Sequence, residues 1–253
     1  MRIRWSRLWF ACSLALATSA CAAAGGISSG PPRVQSPTPI PLPPSALVVA
    51  PFADSFVVVL SFQRGAWRRH SLEQTPTGYR FVEAYYFGSR SYRTSEVFLS
   101  PAFVIDSVRS RGQNLSGSVD LAVSYADHHV RGWSLASTPD SARRVAIDTL
   151  LPDSAFDAAA LMAVLAALDW RLGLKRSLIE FDPTDGTTQT ADLSVVAEEQ
   201  VAVPAGSFEV YRAELAKPGS LSYLWYTRAE PHRLVKVADA RGRWSTDLVN
   251  PPK

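Results

Sequence analysis

Beyond Pro51 the chain runs in short segments rich in Val, Phe, Tyr, Trp and Thr, broken by turn residues at a spacing of about 8 to 12. Almost no interval between them could hold the dozen or more residues of a helical crossover, so successive strands must be joined as antiparallel hairpins. The clearest strand is GSVDLAVSY at 117–125. There Val119, Leu121, Val123 and Tyr125 alternate with Ser118, Asp120, Ala122 and Ser124, the period-two pattern of one dry face and one wet face. The same reading predicts strands at 55–63, 68–74, 79–87, 95–99, 104–110, 129–135, 178–181, 192–203, 208–215, 221–227, 234–238 and 244–249.

One segment departs from this pattern. In PDSAFDAAALMAVLAALDW, Ser154 with Asp157 three residues on resembles a capping arrangement, and nearly every residue from Ala155 to Leu168 is Ala, Leu, Met, Val or Phe. A helix over about 154–169 that is apolar on all sides is not a surface helix. Burying Phe156, Leu161, Leu165 and Leu168 is worth roughly 6 to 12 kcal/mol gross, comparable to the net stability of a whole domain. The helix must therefore dock on the apolar face of the sheet. An open sheet of this many strands has to curl to bury one face. The expected fold is mainly β: a long antiparallel meander forming a curled sheet or half-barrel around one apolar helix. A β-sandwich with a packed helix is the alternative.

The first twenty residues place Arg2, Arg4 and Arg7 before an apolar run from Leu8 to Ala17 and then small residues, the pattern of a secretory signal over 1–20. That run is too short to cross a bilayer as a helix. Ser19-Ala20-Cys21 resembles the site at which bacterial lipoproteins are cleaved and acylated, although Thr18 stands where an aliphatic residue is usual. On that resemblance Cys21 is the lipid-attachment residue, and Ala22 after it favours outer-membrane sorting. The alternative is ordinary signal cleavage and a soluble periplasmic or secreted protein. Residues 21–50, rich in Ala, Gly, Ser and Pro, form a linker in which proline fixes φ and removes donors. Residues 51–253 are then a single β-rich domain.

Charge and cysteine content narrow the function classes. Three of the 26 Lys and Arg residues leave with the signal, so 23 remain against 23 Asp and Glu. With no basic excess to neutralise phosphates, nucleic acid is not an expected partner. Cys12 goes with the signal and Cys21 to the anchor, which leaves no disulfide, thiolate ligand or thiol nucleophile in the domain.

Several features then fall in order: AALMAVLAALDWRLGL, a long strand, the hinge at Pro204, Ala205, Gly206, Ser207 and Phe208, the pair Trp225 and Tyr226, and a final hairpin with Pro231, His232, Arg233 and Val235. Together these residues resemble a bacterial family of periplasmic proteins of unknown function. More distantly, the arrangement is similar to the lipoprotein-localisation carriers, whose half-barrel sheets closed by helices hold acyl chains in an apolar cavity.

Candidate chemistry is sparse. His128 and His129 are adjacent, so on a strand they point to opposite faces and cannot share a metal; they read as a surface turn and strand start. His70 beside Arg68 and Arg69 reads as a solvated face, and His232 as a turn-stabilising residue. Asp182, Asp185 and Gly186 in FDPTDGTTQT lack the remaining acidic ligands of a calcium loop and read as a hairpin turn. No catalytic residue, metal site or cofactor is expected.

The expected function is a non-enzymatic binder of a lipid or other apolar ligand, anchored to the membrane through its acylated N-terminus. Phe156, Leu161, Leu165 and Leu168 of the helix, with Trp133, Tyr223 and Trp225 of the strands, are the expected cavity lining. A solid-cored structural or interaction protein of the outer membrane is the alternative, and a cryptic hydrolase the third reading.

Overall fold

The computed structural model describes residues 50–60, 63–88, 91–114, 117–138 and 140–250. The expected signal, Cys21 and nearly all of the linker lie outside these residues. The first half of the domain is a run of hairpins: β1 (Phe52–Leu60), β2 (Gln63–Thr75), β3 (Gly78–Phe87), β4 (Ser91–Leu99), β5 (Ile105–Asn114), β6 (Gly117–Ala126), β7 (His129–Thr138) and β8 (Ser141–Leu150). A short insert follows, made of β9 (Ala155–Asp157), one 3-10 turn (Ala158–Ala160) and α1 (Leu161–Ala166). The second half is β10 (Lys175–Asp182), β11 (Thr187–Val203), β12 (Gly206–Lys217), β13 (Ser220–Thr227), β14 (Leu234–Asp239) and β15 (Trp244–Leu248).

All fifteen strands belong to one sheet, in the order β8-β7-β6-β5-β4-β3-β2-β1-β15-β14-β13-β12-β11-β10-β9. Every pairing is antiparallel except the short parallel β9–β10 contact. The two meanders meet at the β1–β15 seam, where Phe56 lies opposite Leu248 and Val58 opposite Thr246. The open edges, β8 and β9, are therefore consecutive in the chain.

That connection curls the sheet. Laid flat, fifteen strands at about 4.8 Å spacing would span roughly 65 Å. The link from Leu150 to Ala155 reaches at most about 18 Å. Its edges are thus drawn together without closing by hydrogen bonds, and the insert is directed onto the concave face. Leu151 N donates to the His128 carbonyl at 2.8 Å, and the Tyr125 hydroxyl donates to Asp157 Oδ2.

Two cross-strand rows define the apolar concave face. One runs Phe52, Leu72, Phe81, Val97, Val108 and Val123 across β1 to β6. The other runs Val195, Ala213, Leu224, Val237, Thr246 and Val58 from β11 back to β1. All but Phe52 are buried, and apart from Val58 and Thr246 the buried ones share one hydrophobic cluster with Leu161, Val164, Leu165 and Trp170 of the insert.

The helix is shorter than the expected 154–169. Ser154 sits at φ 68°, and residues 155–157 extend to pair with β10 instead of coiling. Asp157, not Ser154, is the capping residue, and it caps the 3-10 turn that leads into α1: its Oδ1 accepts from Ala159 N at 2.8 Å. At the other end the Trp170 indole donates to the Leu165 carbonyl at 2.8 Å, taking an acceptor at the helix C-terminus. Strand β8 was not expected at all, because nine of its ten residues, Ile147 excepted, remain at least partly exposed and give no period-two signal.

The β6–β7 turn places Asp127 at φ 48° and His128 at φ 60°, the two left-handed positions of a type I′ hairpin that Asn-Gly fills with least strain. Replacing Asp127 by Asn together with His128 by Gly is expected to stabilise the protein by about 0.5–1 kcal/mol. The check is the urea midpoint at unchanged m-value.

Candidate functional site

Between the two apolar rows the concave face carries charge. On β2, Arg68, His70 and Leu72 point inward, while Trp67 and Arg69 point outward. The register puts Asp54, His70, Glu83, Ser95 and Ser110 directly opposite one another across β1 to β5, one step along the strands from the Phe52-to-Val123 row. Ser95 Oγ and Ser110 Oγ lie 2.7 Å apart at the far end of this ladder.

The ladder's charged end is fully partnered. Glu83 Oε1 accepts from Arg68 Nε at 2.8 Å and from Arg68 Nη2, and it lies 3.0 Å from His70 Nε2. His70 packs between the Phe56 and Phe81 rings, with centroids at 5.0 and 5.8 Å. Burial, reinforced by the Arg68 charge, pushes His70 down to about 4. The imidazole is therefore neutral near pH 7, and Nε2 carries the proton it donates to the carboxylate. Burial alone would raise Glu83, but the Arg68 charge and the bonds from His70 and Arg68 outweigh it and hold the carboxyl well below the usual range. His70 is thus a buried donor, not the solvated residue its arginine neighbours suggest.

A second buried pair closes the seam. Arg233, in the loop entering β14, donates from Nε to Asp54 Oδ2 at 3.1 Å and from Nη2 to Oδ1, and its guanidinium stacks 4.3 Å from the Phe52 ring centroid. Burial drives Asp54 upward against the pull of Arg233. The loop is set by His232, whose Nδ1 lies 2.8 Å from the Thr227 carbonyl, and by the Arg233 N–H, which donates to Thr227 Oγ1 at 2.9 Å. Between this pair, His70 and the helix residues Met162 and Ala166 lies a void of about 10 Å³, room for about one water.

The insert roofs this face. Trp170 stacks on Tyr226 at 4.2 Å, and the Tyr226 hydroxyl reaches Met162 Sδ at 4.0 Å. Its ends are tied by the Leu151–His128 bond and by the Gly173 N to Val195 carbonyl and Val195 N to Leu174 carbonyl bonds, at 3.1 and 2.8 Å. Asp157 is buried, and that burial drives its carboxyl up to about 6 against the bonds from Tyr125 and Ala159 N.

Of the expected lining residues, Phe156, Leu161 and Leu165 are buried in the core cluster, and Leu168 packs against it partly exposed. Trp133, Tyr223 and Trp225 face the other way. On β13 it is Leu224 and Tyr226 that point inward, and on β7 Val130 and Ser134. Cations cover the three outer aromatics: Arg144 lies 4.6 Å from Trp133, Arg212 5.6 Å from Tyr223 and Lys236 5.7 Å from Trp225. The Trp225 indole also donates to Glu199 Oε1 at 2.6 Å. Bulky aromatics were therefore a poor guide to the inner face. Asp54, Arg68, Glu83 and Arg233 were missed, although the phases Asp54-Phe56-Val58 and Arg68-His70-Leu72 could have revealed the first two.

His128 and His129 sit at the β6–β7 turn, with His129 bonded to Asp148. The segment 182–187 is a hairpin turn, in which Asp182 Oδ1 accepts from Thr184 N and Asp185 Oδ1 from Thr187 N. Among the described residues no group of three or more His, Cys, Asp or Glu is placed to hold a metal. No helix among them is long and apolar enough to cross a membrane.

A family model described as "Protein of unknown function (DUF3108)" matches residues 99–242. The chain belongs to this DUF3108 family. No curated protein and no solved structure matches it. The match begins at the end of β4, so within DUF3108 it takes in the insert, Tyr226 and Arg233, whereas Asp54, Arg68, His70 and Glu83 precede it.

Two consequences can be measured. Replacing Arg233 by Met leaves Asp54 buried without its partner and is expected to cost about 3–5 kcal/mol, most of it recovered by adding Asp54→Leu. Urea unfolding of the single and double variants tests this.

The second concerns pH. Between 6.5 and about 4 the unfolded chain binds a proton at His70 that the folded one does not, so stability from this residue is lost as pH falls. Asp157 is the reverse: between about 6 and 3.8 the folded chain holds the proton, so stability is gained as pH falls. The two oppose each other over about pH 4 to 6. Relative to the parent, His70→Gln is expected to gain stability on going from about pH 6 to 4 and Asp157→Asn to lose it, read from urea midpoints at each pH.

Proposed function

We propose that this protein is a non-enzymatic binder of an amphiphilic lipid, held at the cell envelope through Cys21, with the insert between Leu151 and Leu174 as a displaceable plug. The carrying observation is the concave face itself: a continuous apolar row with a polar ladder one step beside it, matching a chain and its head group. Uptake exchanges plug contacts for ligand contacts. Burial of Phe156, Leu161, Val164, Leu165 and Trp170 stabilises the closed state by roughly 7 to 15 kcal/mol gross. A sixteen-carbon acyl chain, at about 0.8 kcal/mol per methylene, returns about 12 kcal/mol. The two terms are of one size, so affinity is set by their difference. The plug suits such an exchange, because α1 has six residues and no side-chain hydrogen bond at its N-cap.

A second reading, a solid-cored interaction protein of the envelope, is favoured by the small volume left beside the plug, about 10 Å³. The full chain, purified in detergent, separates the two. Lipid binding predicts stoichiometric non-covalent lipid in an organic extract by mass spectrometry, and saturable binding of a fluorescent fatty acid. Leu165→Ala, which weakens the closed state, should tighten that binding several-fold although it lowers stability by about 2–5 kcal/mol. A clean extract with no fatty-acid signal in either protein supports the solid core. Labelled palmitate should enter the protein and be lost in Cys21→Ala; incorporation that persists in the variant would remove the anchor from the proposal.

A further inference from the structure

Strand β8 pairs with β7 without a register shift from Thr138–Ser141 to His129–Leu150, and no strand lies on its other edge among the described residues. It contains no proline, glycine or bulge, the usual protections of an edge. Its defence is charge, and the charge pattern is self-complementary. Register with β7 places Arg144, Ala146 and Asp148 on the outer face with Leu135, Trp133 and Arg131, and Val145 and Ile147 on the inner face with Ser134 and Gly132.

We propose that β8 is a dimer edge, pairing antiparallel with β8 of a second copy about a two-fold axis through Ala146. That register sets Arg144 opposite the partner's Asp148, Val145 opposite the partner's Ile147, and both pairs again by symmetry. Directly opposed residues share a face, so inner face meets inner face and the sheet continues through the seam. Sliding the axis to Val145 or Ile147 puts Arg144 opposite alanine or leucine and loses both charge pairs. The monomer leaves this pairing available. Arg144 stacks on Trp133 and makes no ion pair among the described residues, while Val145 is 40% exposed. Asp148, which accepts from His129 and lies 3.7 Å from Arg131, is 67% exposed at its side chain and keeps lone pairs for another donor. A seam one strand long buries less than the roughly 1,200 Å² of stable complexes, so the dimer is reversible and concentration-dependent.

The test is sedimentation of the full chain in detergent over a concentration series, with Arg144→Asp, Asp148→Arg and the doubly swapped variant. Each single change sets two like-charge pairs across the seam and should weaken dimerisation about tenfold or more, whereas the swap restores it to within about threefold. Mixing the two single variants should give heterodimers, since the R144D chain then offers only acids and the D148R chain only bases; this mixture shows that both still fold. A parent that stays monomeric at every concentration, singles that dimerise as well as the parent, or a mixture that does not associate would each overturn the proposal, the first in favour of an extended segment of another protein as the occupant of the edge.

Discussion

The link of at most about 18 Å between Leu150 and Ala155 governs this fold. Because it joins the two outermost strands of a fifteen-stranded sheet, the sheet curls and acquires an inner face. An inner face bearing Phe81, Val97, Val108, Leu193 and Leu224 must be covered, and among the described residues the insert that the link introduces packs into the same cluster. Its apolar composition follows from where it is delivered. A six-residue helix has little intrinsic stability, so α1 persists through burial against the sheet more than through its own hydrogen bonds.

Burying charge on the same face sets a second condition. Asp54 and Arg233 are 179 residues apart, from the first strand and the loop before β14, and each is buried against the other. Such pairs contribute little or no net stability over an apolar substitute but penalise any arrangement that separates them. Here that penalty falls on misalignment of the β1–β15 seam, where the two meanders meet. The Arg68–Glu83–His70 group does the same for the β2–β3 register, since a one-residue slip would turn its side chains to the opposite face.

Strand existence was legible where one face is dry: 117–125, 79–87 and 208–215 correspond to β6, β3 and β12 with small changes of boundary. β8 was not, because a strand wet on nearly all sides resembles a loop in composition. Strand phase was less legible than strand existence. On β7 and β13 the largest aromatics lie outside under cations, so bulk and burial part company. The bulges at Val195/Ala197 and Trp225/Tyr226 further interrupt any phase carried along a strand. The helix was legible as a buried apolar element but not in length, because pairing of Ala155–Asp157 with β10 depends on a partner twenty or more residues away.

The insert and the charged ladder are parts of one arrangement. Trp170 and Met162 of the insert rest on Tyr226, and the void beside Met162 is bounded by Asp54, His70 and Arg233. Lifting the insert would therefore admit water to the Asp54–Arg233 and Arg68–Glu83–His70 groups as well as exposing the apolar rows. Hydration lowers the desolvation cost of those ions and partly offsets the loss of apolar contacts. A fully apolar concavity would offer no such return, so on the proposed reading the buried charges would reduce the free-energy gap between the closed face and an opened one.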